Sequence, residues 1–265
     1  MKRKQILTIS VAGIVVILFL GLVYYINENS GVNPPFTVVE SQSMQHLDDQ
    51  SAIGTIDTGD MIYVKSPEKT VIVTYVDGIQ SGYKSFGDYG SVIIYKRTGG
   101  NPVIHRAILW VEWDGTSWNV DSLNTYPYSW DIDGGHTCTG FVSGTLHMTI
   151  KGDYRDIVCS LNFASLNTQS GYITLGDHNG NFDQSTGIMD YQPIRPDMVK
   201  SVASMEVPWL GCLKLLANGK GDRVDLHAPN SITCLEVTFA TIILILIAIS
   251  YIIDEINYYR ISKKI

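Results

Sequence analysis

Ser91-Val92-Ile93-Ile94-Tyr95-Lys96, then Thr98-Gly99-Gly100-Asn101-Pro102, then Val103-Ile104-His105-Arg106-Ala107-Ile108-Leu109-Trp110-Val111 reads as strand, turn, strand. β-Branched and aromatic residues suit a pleated, half-buried surface. Gly, Asn and Pro between them mark the reversal. The same alternation recurs at 61–64, 71–76 and 171–175, and Pro34-Pro35 stiffens the entry to another short strand at 36–39. The residues from Asp77-Gly78 to Tyr83 read as loop, and Gly87-Asp88-Tyr89-Gly90 as a turn. Short strands closed by such turns predict a mainly β domain, a barrel or a sandwich.

Residues 112–170 read as an inserted β-rich lobe holding Trp113, Trp118 and Trp130. Its first element is a hairpin over 112–118, with Asp114-Gly115 at the turn. His136 and His147 have no nucleophile or ligand cluster beside them in the sequence, so they read as surface or structural residues.

The β domain lies between two apolar segments. Residues 6–26 form 21 consecutive positions whose only polar side chains are Thr8, Ser10, Tyr24 and Tyr25. About 20 apolar residues span a bilayer core. The segment is longer than the apolar region of a cleaved leader and shows no Ala-x-Ala site, so it reads as an anchor. A second span is expected at 236–253, of which 237–253 carry no charge. Lys2, Arg3 and Lys4 precede the first span, and Arg260, Lys263 and Lys264 follow the second. The positive-inside rule then puts residues 1–5 and 254–265 in the cytoplasm, and 27–235 outside it. That outer segment carries 13 Lys/Arg against 23 Asp/Glu.

The chain's net charge of −7 disfavours a nucleic-acid partner. Cys138, Cys159, Cys212 and Cys234 fit no zinc spacing, so neither a metal nor a cofactor is expected. Cys138 with Cys159 is the first pairing to test, whereas Cys212 and Cys234 read as buried thiols. Val207-Pro208-Trp209-Leu210-Gly211-Cys212-Leu213-Lys214-Leu215-Leu216 suits a membrane-surface segment and a short core helix equally.

Ser41-Gln42-Ser43-Met44-Gln45-His46 follows the first strand. Only nine residues, 27–35, link the first span to Phe36, a reach of about 30 Å when extended. Ser43 therefore stays near the bilayer. Serine needs an adjacent base at neutral pH, imidazole supplies one, and a carboxylate orients the imidazole. Ser43, His105 and either Asp177 or Asp183 offer that set in the order Ser, His, Asp.

These residues sit in ordered motifs: Val38-Val39-Glu40-Ser41-Gln42-Ser43-Met44, Thr58-Gly59-Asp60-Met61-Ile62-Tyr63-Val64, Gly90-Ser91-Val92-Ile93-Ile94-Tyr95 with Pro102-Val103-Ile104-His105-Arg106, Gly171-Tyr172-Ile173-Thr174-Leu175-Gly176-Asp177-His178-Asn179 with Asp183-Gln184, and Val207-Pro208-Trp209-Leu210-Gly211. Together they resemble the archaeal type I signal peptidases, the Ser-His kind related to the catalytic subunit of the eukaryotic endoplasmic-reticulum signal peptidase complex. The resemblance implies Ser43 as nucleophile and His105 as general base, with Asp177 or Asp183 as orienter and Asp183 favoured. It also implies the Ser41 side chain and the Ser43 N–H as oxyanion donors. The chain departs from the pattern at Gln42, where glycine is usual, at Gln45-His46, which replaces a Pro-containing continuation, and at His178, often Asn.

The activity so implied is removal of signal peptides from secretory preproteins by a two-pass cell-membrane serine endopeptidase. Its partners would be signal peptides and membrane lipid, with the translocation machinery as a further candidate. Two other readings stay open. One is a processing protease dedicated to one class of surface protein and selected by the 112–170 lobe; the other is a non-catalytic, membrane-anchored binding domain.

Overall fold

The computed structural model describes residues 3–262 except Thr98 and Asp190. Lys2, Lys263, Lys264 and the turn residue Thr98 lie outside the described residues. The first element is a long helix, α1 (Arg3–Ser30). Strand β1 (Phe36–Val38), an irregular segment over 39–60 and β2 (Met61–Lys65) follow it. Next come helix α2 (Tyr75–Ser81), the hairpin β3 (Lys84–Ser85) and β4 (Asp88–Tyr89), then β5 (Val92–Tyr95) and the long β6 (Val103–Trp113). The lobe supplies β7 (Trp118–Asn119), β8 (Trp130–Ile132), β9 (Thr139–Phe141), β10 (Thr145–Lys151) and β11 (Asp156–Asn162). The chain closes with β12 (Gly171–Leu175), β13 (Val199–Val207), α3 (Gly211–Ala217), α4 (Gly221–His227) and the long α5 (Asn230–Ser262).

The main sheet runs β1-β2-β13-β5-β6-β7-β9, with β12 also on β6, and every pairing is antiparallel. A second sheet, β11-β10-β8, comes from the lobe. Leu109 and Val111 of β6 share one apolar cluster with Leu146, Met148, Cys159 and Leu161 of the lobe, so the two sheets bury a common core.

The fold is therefore mixed α and β, with mostly antiparallel sheets, and it holds no closed barrel. Closure needs the end strands to pair. Here the path ends on β1 and β9, three residues each, and β12 branches from β6 instead. α1 and α5 contain the segments Gly13–Ser30 and Asn230–Ile256, each long and apolar enough to cross a membrane.

The strand expected at 71–76 is absent, and residues 75–81 expected partly as loop are helix α2. Thr74 caps it: its hydroxyl accepts from Asp77 N–H and donates to the Asp77 carboxylate. That reciprocal capping outweighs the β propensity of the valines. The 112–118 hairpin is present, with Trp113 opposite Trp118 and Gly115 at φ +99°. Between β3 and β4 the turn residues are Phe86 and Gly87, both at positive φ (51° and 86°). A two-residue hairpin loop needs that geometry.

Cys138 and Cys159 are not paired: both are buried free thiols, and burial pushes the Cys159 thiol up to about 12. Residues 207–216 end β13 and begin α3, whose Cys212 and Leu215 are buried while Leu213 and Leu216 stay exposed. The Trp209 indole donates to Ser51 Oγ, so it is engaged within the fold.

The segment between β1 and β2 hangs on buried carboxylates. Asp60 accepts from the N–H groups of Trp209 and Asp57, each at 2.8 Å. Burial, with the carboxylates of Asp57 and Glu206 nearby, pushes the Asp60 carboxyl from 3.8 up to about 8. The folded chain thus holds this proton more tightly than the unfolded chain, so stability is expected to fall as pH rises from about 4 to about 8. Thermal unfolding of the detergent-solubilised chain across that window checks this, with a flatter profile expected for Asp60→Asn. A wild-type melting temperature that climbs from pH 5 to 8 would contradict it.

Candidate active site

Ser43 sits in a turn closed by Gln45 N–H to Gln42 O at 2.9 Å. Met44 beside it is fully buried and packs with Val39, Ile56, Ile62, Val92 and Ile94, which pins the turn to the main sheet. Gln45 is fully buried as well, and its Nε2 donates to Leu47 O (2.6 Å) and to His227 O at the end of α4 (2.7 Å). Glu40, just upstream, pairs with Lys220 of the same helical region at 2.7 Å. The loop carrying Ser43 is thus held by α4. Asn230, at the start of α5, bonds Ser51 in both directions, so that loop is also tied to the second apolar helix. At the other end, Ser30 Oγ closes α1 onto β2 through Val64 O at 2.7 Å.

His105 projects from β6 opposite Ile93 of β5 and is 3 % exposed. Its Nδ1 is 2.7 Å from Oδ2 of the fully buried Asp183. Its Nε2 points toward Gly176: a Cβ on that glycine would lie 2.8 Å from His105 Nε2 and 2.4 Å from Ser43 O. A side chain cannot fit between the His105 imidazole and the Ser43 backbone there. The next residue but one completes the seam, with His178 N–H donating to Ser43 O at 2.9 Å.

The Ser43 hydroxyl is bonded to Ser41 Oγ at 3.3 Å and, among the described residues, not to His105 Nε2. The His105–Asp183 bond of the expected triad is present, and no Ser43–His105 hydrogen bond occurs among the described residues. Such bonds commonly tighten only when substrate is bound. Among the described residues the Ser43 N–H has no acceptor, which leaves it free to serve an oxyanion together with the Ser41 hydroxyl.

The two candidate aspartates have separate partners. Asp183 takes His105, whereas Asp177 does not touch it. Instead, Asp177 takes a two-pronged bond from the fully buried Arg106, with Nε to Oδ1 at 2.8 Å and Nη2 to Oδ2 at 2.5 Å, and a further bond from His46 Nε2 at 3.0 Å. Burial by itself would raise the Asp177 carboxyl, but the guanidinium and the His46 bond hold it at about 2. Consecutive strand residues face opposite sides of a sheet. His105 and Arg106 therefore cannot share a carboxylate, and each recruits its own.

Tyr95 and Thr174 were not among the residues singled out from sequence. Tyr95 OH and Thr174 Oγ1 each donate to Asp183 Oδ2 at 2.6 Å. A register shift between Ile173 and Thr174 accompanies the turn of that threonine to the site. His136 and His147 are exposed. No cluster of His, Cys, Asp and Glu able to hold a metal occurs among the described residues. Comparison of the chain with family models, with curated proteins and with solved structures gives no match in any of the three.

Proposed function

We propose that this protein is a membrane-bound serine endopeptidase that removes signal peptides from secretory preproteins, of the archaeal type I signal peptidase kind. The observation that carries the reading is the buried His105–Asp183 pair, whose free imidazole nitrogen abuts the backbone of Ser43 across Gly176. Ser43 Oγ attacks the scissile carbonyl carbon while His105 Nε2 takes the hydroxyl proton. Asp183 fixes the tautomer and stabilises the imidazolium. The Ser43 N–H and the Ser41 hydroxyl receive the developing oxyanion. His105 then gives its proton to the departing amine, and the mature chain leaves. Water, deprotonated by the same imidazole, hydrolyses the ester on Ser43 and frees the signal peptide.

Placement supports the substrate class. The nucleophile loop is bonded to the start of α5 through Ser51 and Asn230, and β2 to the end of α1 through Ser30. With α1 and α5 in a bilayer and the domain on its outer side, the site would meet extended segments emerging from membrane-embedded helices.

The Ser41–Ser43 hydroxyl bond, in place of a Ser43–His105 bond, favours the second reading, a membrane-anchored binding domain. Membranes carrying the chain, given a model preprotein, separate the two. Mature product is expected from wild type and none from Ser43→Ala. The rate should fall on acidification within about pH 8 to 5, where imidazole ordinarily titrates and loses its basic nitrogen. Equal product from both chains would leave only the binding domain.

A further inference from the structure

A His–Asp pair needs one hydrogen bond, yet three donors converge on a single oxygen of Asp183. His105 Nδ1 approaches Oδ2 at 2.7 Å, and Tyr95 OH and Thr174 Oγ1 each lie at 2.6 Å. The other oxygen, Oδ1, is buried without a partner among the described residues. We infer that Tyr95, together with Thr174, is a positioning residue for the His105–Asp183 pair: the two hydroxyls lock the carboxylate with Oδ2 toward the imidazole. The consequence for rate rests on the peptidase reading; the positioning itself does not.

The geometry leaves each hydroxyl little choice. Tyr95 is buried among Ile93, Val199 and Met189, and burial and then the Asp183 charge push its hydroxyl well above the ordinary range. It therefore stays protonated and acts as a donor. Thr174 has one hydroxyl proton, for which Asp183 Oδ2 at 2.6 Å is a nearer acceptor than Tyr95 OH at 3.2 Å, and its oxygen accepts from Gln184 Nε2 at 3.5 Å. Asp183 N–H donates to Thr174 O at 2.9 Å, so the loop carrying the carboxylate is clipped to β12 by backbone as well. Register places Tyr95 opposite Val103, two residues before His105 and on the same face of the sheet.

The groups that carry or change charge around the imidazole are Asp183 and Tyr95 on that face and His178 on the turn after Gly176. Arg106, Asp177 and His46 form their own cluster from the opposite face. Donors on a carboxylate draw off part of its charge. Loss of one makes Asp183 a stronger acceptor for His105 Nδ1–H, favours the imidazolium, and moves the His105 titration to higher pH.

The test is histidine NMR titration of the full chain in micelles, with His105 assigned by its loss in His105→Gln, alongside preprotein cleavage. For Tyr95→Phe and Thr174→Val the His105 midpoint should rise by about half a pH unit or more. Turnover at neutral pH should fall about tenfold with KM unchanged. Thr174→Ser, which keeps a hydroxyl, should restore both readouts, and it carries the test if Tyr95→Phe fails to fold. A His105 titration unmoved in folded Tyr95→Phe and Thr174→Val would reduce both residues to packing and overturn the inference. A moved titration in a chain whose wild type cleaves no preprotein would sink the peptidase reading and leave the positioning of Asp183 standing.

Discussion

Asp183→Asn is expected to lower turnover about 10⁴-fold while the chain stays folded, because a neutral amide cannot stabilise the imidazolium. The substitution is nearly isosteric. The amide oxygen can still accept from Tyr95 and Thr174, which lie 2.6 Å from the present Oδ2, so the surrounding packing keeps most of its bonds. Asp177→Asn, six residues earlier, should behave in the opposite way. It leaves the His105 bond intact and removes the counter-charge of a fully buried guanidinium. Breaking one side of such a pair costs roughly 3–5 kcal/mol. The Asp177 carboxyl, held at about 2, also supplies stability that is present above its ordinary 3.8 and is lost as pH falls through about 2. That acid-side contribution should disappear in Asp177→Asn. Cleavage rates and melting temperatures of the two purified variants decide the matter. If Asp177→Asn were the inactive, stable one, the division of labour between the two carboxylates would be reversed.

That division was open at the level of sequence, although its physical basis is simple. A strand residue's neighbour faces the other side of the sheet, so Arg106 beside a buried His105 needs a carboxylate on the far face. Two aspartates on one loop satisfy two faces. The hairpin around 97–102 likewise puts Tyr95 on the His105 face, which strand register alone could have suggested. Long apolar helices, the β5–β6 hairpin and the Asp114-Gly115 turn follow from local composition and pattern, whereas the grouping of His105 with an aspartate rests on the resemblance of ordered motifs. The open sheet does not, since closure depends on how long the edge strands are and where β6 branches. Nor did the valine run at 71–76 betray α2, because Thr74 and Asp77 satisfy the helix start with side chains rather than with hydrophobic period. His46 looked like a defect in the nucleophile motif; in the fold it supplies the bond that ties that motif to Asp177.

Arg106→Leu is expected to destabilise the chain by roughly 3–5 kcal/mol, since it strands the buried Asp177 carboxylate. Adding Asp177→Leu tests what the guanidinium is for. Replacement of a buried ion pair by apolar residues is often neutral, provided the pair serves only itself. Here Nη1 also faces the carbonyls of Ser85 (2.9 Å), Gly90 (3.0 Å), Asp88 (3.2 Å) and Tyr89 (3.2 Å). Those carbonyls belong to the β3–β4 hairpin, and a Cβ on its turn residue Gly87 would lie 2.7 Å from the His46 ring. The double variant takes this donor from the Ser85, Asp88 and Tyr89 carbonyls and leaves His46 Nε2 without Asp177, each a cost of about 1–3 kcal/mol where the group stays buried and unpaired, while Gly90 O keeps the Ser85 hydroxyl at 2.6 Å. It should therefore remain at least about 2 kcal/mol less stable than wild type by thermal or denaturant unfolding. Amide exchange should rise first over 85–90 and 43–47, the two segments this cluster joins. A double variant as stable as wild type, with exchange unchanged there, would make Arg106 a counter-ion alone and would remove the link from β6 to the Ser43 loop.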